Sequence, residues 1–328
     1  MFAMIIRETG GPEVFEYAEL STPAPGPGEV LVQVAYAGVN PADWKNRQGM
    51  LAAYRPYSFP YVIGFDAAGV VAAVGVGVQG LAIGDRVFTP TNHGQGGQGS
   101  YAEYTLADAD RVARIPPGLA LRDAAALPVA ALTAWQGLFD RGGLQADQKV
   151  LVHGGSGGVG SFAVQFAQWC GARVAATCSS PNVEYLKSLG VERVIDYRTE
   201  DIAVAVQAWQ PKGLDFLLDA VGVSTLPRAI DLVAEGGTLV SIPTLVDDGD
   251  AVAALAEAER RGITHHFSTM DDSHCASTLE KIAGLLVSGE IQLPPIKEFP
   301  LVDVAQAHEL IEGGHNRGKI VLKVAALF

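Results

Sequence analysis

Cysteine is scarce in these 328 residues: Cys170, Cys178 and Cys275 are all there are. Three cysteines without a CxxC pair build no disulfide framework, and they fit a reducing, cytoplasmic setting. Basic residues are also in deficit, 23 Lys and Arg against 36 Asp and Glu, for a formal net charge of −13. A chain without a basic excess cannot release counterions from nucleic acid or gather at an anionic membrane, so neither partner is expected. The acidity is read as solubility. Long apolar runs are missing too. The longest uncharged stretch, Ala67 to Gly84, carries glycines and Gln79, and reads as strand, turn, strand rather than a spanning helix. The first seven residues lack a basic segment followed by a long apolar one, so no secretory leader is expected there.

What remains is a well-folded composition, 48% hydrophobic and 18% charged, in a chain long enough for two cores. The first third is β-rich. Short apolar runs at Val30–Ala37, Ala67–Val74, Arg86–Thr89 and Ala102–Leu106 are separated by Gly, Pro and Asp turns. The Gly-rich stretch 93–99 reads as a surface loop, and its His93 stands alone, too little for a metal site. Arg122–Arg141 is Ala- and Leu-rich and reads as helical. Strands then alternate with helices: strand Lys149–His153, helix Gly158–Cys170, strand Arg173–Thr177, helix Val183–Leu189, and strands Arg193–Asp196 and Phe216–Asp219. A helix near Thr225–Ala234 and strands Thr238–Ile242 and Thr264–Ser268 complete the series. That alternation predicts an α/β Rossmann domain, a doubly wound parallel sheet covered on both faces. The tail, with a helix Thr278–Ser288 and a strand Lys319–Val324, departs from the pattern. The expected organisation is one mostly β domain from residues 1–123 and 271–328, interrupted by a dinucleotide-binding domain over 124–270.

The chemistry is announced by Gly155-Ser156-Gly157-Gly158-Val159-Gly160, which follows a strand ending at His153 and opens a helix. In that setting the first glycine permits a tight turn, the second lets backbone approach a pyrophosphate, and the third allows close helix–strand packing. The helix N-terminus offers unpaired N–H groups and a positive dipole end to the phosphates. The next strand selects between cofactors. A carboxylate at its end would bind a ribose 2′-hydroxyl and repel a 2′-phosphate. Here Arg173–Thr177 runs into Cys178-Ser179-Ser180-Pro181-Asn182, with no acid. Ser179, Ser180 and Asn182 can donate to a phosphate and Arg198 follows the next strand, so NADPH is expected. His153, at the end of a buried strand, reads as a core histidine rather than a general acid. His265 and His266 are poor co-ligands, because adjacent strand residues face opposite ways.

Several ordered motifs extend the reading: Ala37 to Asp43 (AGVNPAD), Gly64 to Val70 (GFDAAGV), Gly84 to Val87 (GDRV), Ala126 to Trp135, Val152 to Gly160, Val194 to Tyr197 (VIDY), Leu218 to Gly222 (LDAVG) and Gly318 to Leu322 (GKIVL). With these the chain resembles, nearly end to end, the zinc-independent quinone oxidoreductase (zeta-crystallin-like) branch of the medium-chain dehydrogenase/reductase superfamily. The segment Asn40 to Lys45 looks most like its enone reductases. The resemblance implies a Rossmann domain inserted into a GroES-like catalytic domain, a substrate site between the two, and a homodimer. It also places Asn40, Phe65 and Val129 where zinc alcohol dehydrogenases carry Cys, His and Cys, with Asp66 at the neighbouring acidic position; that set cannot hold zinc. Residues 89–104 lack the cysteines of a structural zinc lobe. By resemblance Thr133 contacts the nicotinamide end, Tyr197 the adenosine 2′-phosphate, and Lys319 the cofactor. Asn40 holds a ribose or substrate oxygen. Lys45 and Tyr54 are the candidates to stabilise an enolate. Against these stand plainer roles: Asp43 as a helix cap, Asp66 as a partner of Lys45 or Arg47, and Tyr197 as packing. The expected activity is NADPH-dependent reduction of a quinone or α,β-unsaturated carbonyl. An NADPH-binding protein with little turnover, as in crystallin recruitment, and an enoyl-thioester reductase are the alternatives.

Overall fold

The computed structural model describes residues 1–52, 56–91, 99–244 and 249–326. Tyr54 and His93 therefore lie outside the described residues. The chain separates into two compact units. One is Met1–Leu132 with Asp272–Phe328, and the other is Thr133–Asp271.

The first unit opens with β1 (Phe2–Ile6), β2 (Glu16–Glu19) and the long β3 (Glu29–Val39), followed by helix α1 (Pro41–Arg47). Next come β4 (Tyr61–Val62), β5 (Asp66–Val74), β6 (Arg86–Pro90), β7 (Tyr104–Asp108) and β8 (Ala113–Arg114). The uncharged stretch from Ala67 is thus strand and turn. Among the described residues no helix is long and apolar enough to cross a membrane. Helix α2 (Leu121–Ala124) lies on β3, β5 and β6, and it leads into α3 (Pro128–Trp135). The first unit runs on to Leu132, past the expected boundary at 123.

The second unit holds β9 (Lys149–His153), α4 (Gly158–Trp169), β10 (Arg173–Cys178), α5 (Val183–Ser188), β11 (Arg193–Asp196), α6 (Ile202–Trp209) and β12 (Leu214–Asp219). It closes with β13 (Val233–Ser241), α7 (Ala251–Arg260) and β14 (Thr264–Phe267). All pairings are parallel, in the order β11-β10-β9-β12-β13-β14. Chain order reverses between β9 and β12, which is where a doubly wound sheet opens a ligand crevice beyond its strand ends. Leu151, Ala175, Leu217 and Leu239 fill one buried cluster of this sheet.

One sequence expectation fails here. Thr225–Ala234 is not a helix: only Ala229–Leu232 forms a short 3₁₀ turn, and β13 begins at Val233. Val233 instead pairs with Leu214 of β12, so the end of this segment is taken into the sheet. Helices α6 and α7, which the sequence reading left out, are capped by Asp201 and Asp250. Those carboxylates accept from Val204 and Ala253 N–H at 2.9 and 3.0 Å.

The chain then rejoins the first unit through α8 (Cys275–Ser288), β15 (Ile296–Pro300), α9 (Val304–Glu312) and β16 (Lys319–Lys323). Strand β16 pairs antiparallel with β3, so the last strand of the chain returns beside Val39 and Asn40. Ile5, Val34, Ile63, Ile320 and Leu322 pack together beneath it.

Candidate functional site

In the first unit the site grows from the end of β3. Asn40 starts α1, Pro41 supplies a helix-ready φ, and the Asn40 N–H donates to Asp43 Oδ2 at 2.7 Å. Asp43 is therefore a cap, as its plainer reading held. Asp66, at the head of β5, pairs in register with Gly38. A Cβ on Gly38 would fall 2.6 Å from Asp66 Oδ2, so glycine there lets the carboxylate approach.

Around Asp66 the polar groups close into a buried cluster. Its Oδ1 accepts from the Val129 N–H at 2.8 Å, and its Oδ2 accepts from Asn40 Nδ2 at 2.8 Å. The Lys319 ammonium donates to Asn40 Oδ1 at 2.6 Å, to the Val39 carbonyl at 3.3 Å and to Asp66 Oδ2 at 3.4 Å. Asn40, Asp66 and Lys319 are all buried. Chemistry fixes the amide's orientation: an ammonium only donates, so it faces the amide oxygen, and an ionised carboxylate only accepts, so it faces the amide nitrogen. The second Nδ2 hydrogen of Asn40 is left to act as a donor.

Asp66 thus holds Asn40 and Lys319, not Lys45 or Arg47. The fully buried Arg47 turns elsewhere. It donates to the Gly10 carbonyl at 3.0 Å and to His308 Nδ1 at 3.1 Å, and it pairs with Glu312 at 2.8 Å. His308 Nε2 faces the Tyr101 hydroxyl at 3.1 Å. Burial and the Arg47 charge hold His308 down at about 3. Burial pushes the Asp43 carboxyl up to about 8, against the hydrogen bond from Asn40, which pulls it down. Lys45 is in the last turn of α1, nearly buried, with its ammonium 5.4 Å from the Trp44 ring centre. Tyr57, in the neighbouring loop, has already committed its hydroxyl to Asn46 Oδ1 at 2.7 Å.

In the second unit the glycine turn lies at the end of β9. The roles of its glycines are visible in what a Cβ would meet. On Gly155 it would lie 2.7 Å from Ala176 of β10, and on Gly160 it would lie 2.1 Å from the Gly154 carbonyl. Both are packing glycines. On Gly157 it would meet nothing nearer than 3.4 Å, so this is the open face, where a phosphate can reach the backbone. The left-handed step of the turn belongs to Gly154, with φ of 83°, and not to Gly155 as the motif alone suggests. Ser156, Gly158 and Val159 complete the turn into the 12-residue helix α4. The residues fit a dinucleotide pyrophosphate.

At the end of β10, Asn182 folds back over Ser179, its Nδ2 donating to Ser179 Oγ at 3.3 Å. Tyr197 is half-exposed, and its N–H donates to the Cys178 carbonyl at 3.1 Å, so β11 delivers it beside Ser179 and Ser180. Sequence reasoning missed Asp196. It is the register partner of Cys178, and hydrogen bonding from Ser180 holds its carboxyl below the usual range. Parallel pairing of β10 with β11 would have revealed it. Thr133 is buried on α3, at the first residue of the second unit, whereas Lys319 is engaged within the first. No cluster of three or more His, Cys, Asp or Glu able to hold a metal occurs among the described residues.

A Rossmann sheet with a phosphate-ready glycine turn, interrupting a β unit that carries Asn40 and Asp66, defines a medium-chain dehydrogenase/reductase, an oxidoreductase working with a nicotinamide cofactor. Family models agree: the alcohol dehydrogenase GroES-like domain matches residues 26–117, and zinc-binding dehydrogenase matches residues 189–322. The quinone oxidoreductase of Lama guanicoe is 33% identical over 335 residues, covering 98% of this chain and 97% of its own. The solved quinone oxidoreductase from Coxiella burnetii has a TM-score of 0.88 at 31% identity, covering 99% of both chains. A mycobacterial protein solved in complex with NADPH has a TM-score of 0.87 at 27% identity, covering 99% of this chain and 100% of its own. The chain belongs to the quinone oxidoreductase family of that superfamily.

Proposed function

We propose that this oxidoreductase reduces quinones or α,β-unsaturated carbonyls with NADPH and without zinc. The observation that carries the reading is the Asn40–Asp66–Lys319 cluster. Asn40 and Val129, at two of the positions where the zinc enzymes place ligands, offer an amide tied to an ammonium and a backbone N–H tied to Asp66. Neither is a zinc donor. Alcohol oxidation wants a Lewis acid at the oxygen, whereas an already conjugated acceptor needs only a place for negative charge.

When bound, the dinucleotide supplies the hydride. The chain's own work is to hold and to stabilise. Asn40, its amide turned by Lys319 and Asp66, presents a donor. Lys45 offers an ammonium for the developing enolate or hydroquinone anion, and Tyr54 a hydroxyl to the same oxygen. Support for NADPH over NADH comes from the acid-free end of β10, from Ser179 and Ser180, and from the half-exposed Tyr197; Asp196 beside Ser180 works against it, with Arg198 offsetting part of its charge.

The test is NADPH oxidation with a panel of small quinones and enals. Lys45→Ala should lose about 100-fold in kcat, and purified protein should carry no stoichiometric zinc. Saturable NADPH binding with no turnover across the panel would overturn the quinone and enone reading and leave the crystallin-like and enoyl-thioester readings.

A further inference from the structure

His153 is buried at the end of β9, on the side of the strand-order reversal, and the reduction just proposed gives it no part. Both of its ring nitrogens are nevertheless spoken for. Nδ1 lies 2.8 Å from Thr177 Oγ1 on β10, and Nε2 lies 2.9 Å from Thr225 Oγ1 in the segment after β12. Each hydroxyl has a second partner that fixes its direction. Thr225 donates its proton to the Gly222 carbonyl at 2.9 Å, so it must accept from His153 Nε2–H. Thr177 accepts the Gly154 N–H at 2.9 Å, which leaves its proton for Nδ1. Every donor finds an acceptor in one state only, the neutral imidazole with its proton on Nε2. An imidazolium would bring a second proton to Nδ1 and leave the Thr177 hydroxyl proton with nothing to bond.

The two ends of this chain of bonds are the two loops that flank the crevice. Gly154 is the left-handed step of the glycine turn, and a Cβ there would lie 2.5 Å from Val221. Gly222 has φ of 113° and is braced by Asp219, whose Oδ1 accepts from both Val221 and Gly222 N–H. We propose that His153 is a positioning residue that clasps the glycine turn to the Gly222 turn, and that affinity for the nicotinamide dinucleotide depends on this clasp. The inference rests on the reading that the glycine turn binds such a dinucleotide. Burial favours the neutral ring, while the carboxylate of Asp219, on the adjacent strand, pulls the other way. Among the described residues the ring's hydrogen-bond partners are the uncharged Thr177 and Thr225.

The test is titration of the full chain with NADPH, followed by tryptophan fluorescence or calorimetry, beside thermal melts without cofactor. His153→Leu should raise the Kd about tenfold or more, in keeping with two lost hydrogen bonds, one buried and one partly buried. His153→Gln, which carries one acceptor and one donor on a side chain of similar reach, should bind within about threefold of wild type. Thr225→Val removes the clasp from an exposed position. It should weaken binding severalfold with little change in Tm, and it decides the matter if His153→Leu does not fold. Wild-type affinity in Thr225→Val and in any folded His153→Leu, or a Gln variant no better than Leu, would overturn the clasp while leaving the cofactor reading intact. A wild-type chain without saturable NADPH affinity would overturn both.

Discussion

Removing the ammonium of Lys319 tests whether the buried Asn40–Asp66–Lys319 cluster is held by charge compensation. The Lys319 side chain is 3% exposed and that of Asp66 is 0%. Lys319→Met keeps the length of the stem and deletes the charge, so the Asp66 carboxylate stays buried with only the Asn40 amide and the Val129 N–H. Breaking a buried pair on one side costs about 3–5 kcal/mol, because the surviving charge has lost its counterion and cannot reach water. For a unit the size of residues 1–132 and 272–328, that lowers Tm by about 10 °C. The double variant Lys319→Met/Asp66→Asn removes both charges and should recover most of the loss, giving a coupling of about 2 kcal/mol or more. The assay is thermal and urea unfolding of wild type, both single variants and the double. If Lys319→Met costs under about 1 kcal/mol, or if the two changes add without coupling, the compensation argument fails.

Other expectations follow from the same geometry. Gly160→Ala should destabilise by about 2 kcal/mol or more, since its Cβ would meet the Gly154 carbonyl at 2.1 Å. Gly157→Ala should change stability by less than about 1 kcal/mol but weaken NADPH binding at least tenfold, so paired melts and titrations separate packing from ligand approach. Asp43, whose folded value of about 8 lies above the ordinary one, adds stability that is full below about pH 4 and is lost as pH rises through 8. Asp43→Asn should accordingly gain on wild type by about 1 kcal/mol or more at pH 8 and show no such gain at pH 4, as read by melts at both pH values. Asp196→Asn should shift preference toward NADPH over NADH severalfold, seen in the ratio of the two Kd values. Light scattering should report a homodimer of twice 34.4 kDa.

The parts of this molecule legible in sequence are those where short-range pattern and local chemistry coincide. The strand–glycine–helix run from Lys149 into α4 could be read because each glycine must satisfy a local need, a turn or a close contact, within a few residues. Even there the left-handed step fell one residue earlier, at Gly154, because φ depends on how the whole loop closes. The β12 to β13 connection misleads for the opposite reason: Thr225–Ala234 has residues a helix accepts, but the pairing of Val233 with Leu214 outweighs propensity.

What sequence could not reach was partnership across long separations. The resemblance points Lys319 toward the cofactor but says nothing of its partners, which lie 253 residues away, the carboxylate it meets, and 279, the amide it turns. Only the antiparallel pairing of β16 with β3 brings them together. Asp196 was overlooked because it belongs to β11, and parallel register, not proximity in chain, sets it beside Cys178. The consequence for function is concrete. An asparagine that the resemblance gives to a ribose or substrate oxygen becomes an oriented hydrogen-bond donor once its own oxygen is claimed by an ammonium. That orientation suits an oxygen gaining negative charge, and a substitution that frees the amide to flip, Lys319→Met again, should depress kcat by a larger factor than it changes KM.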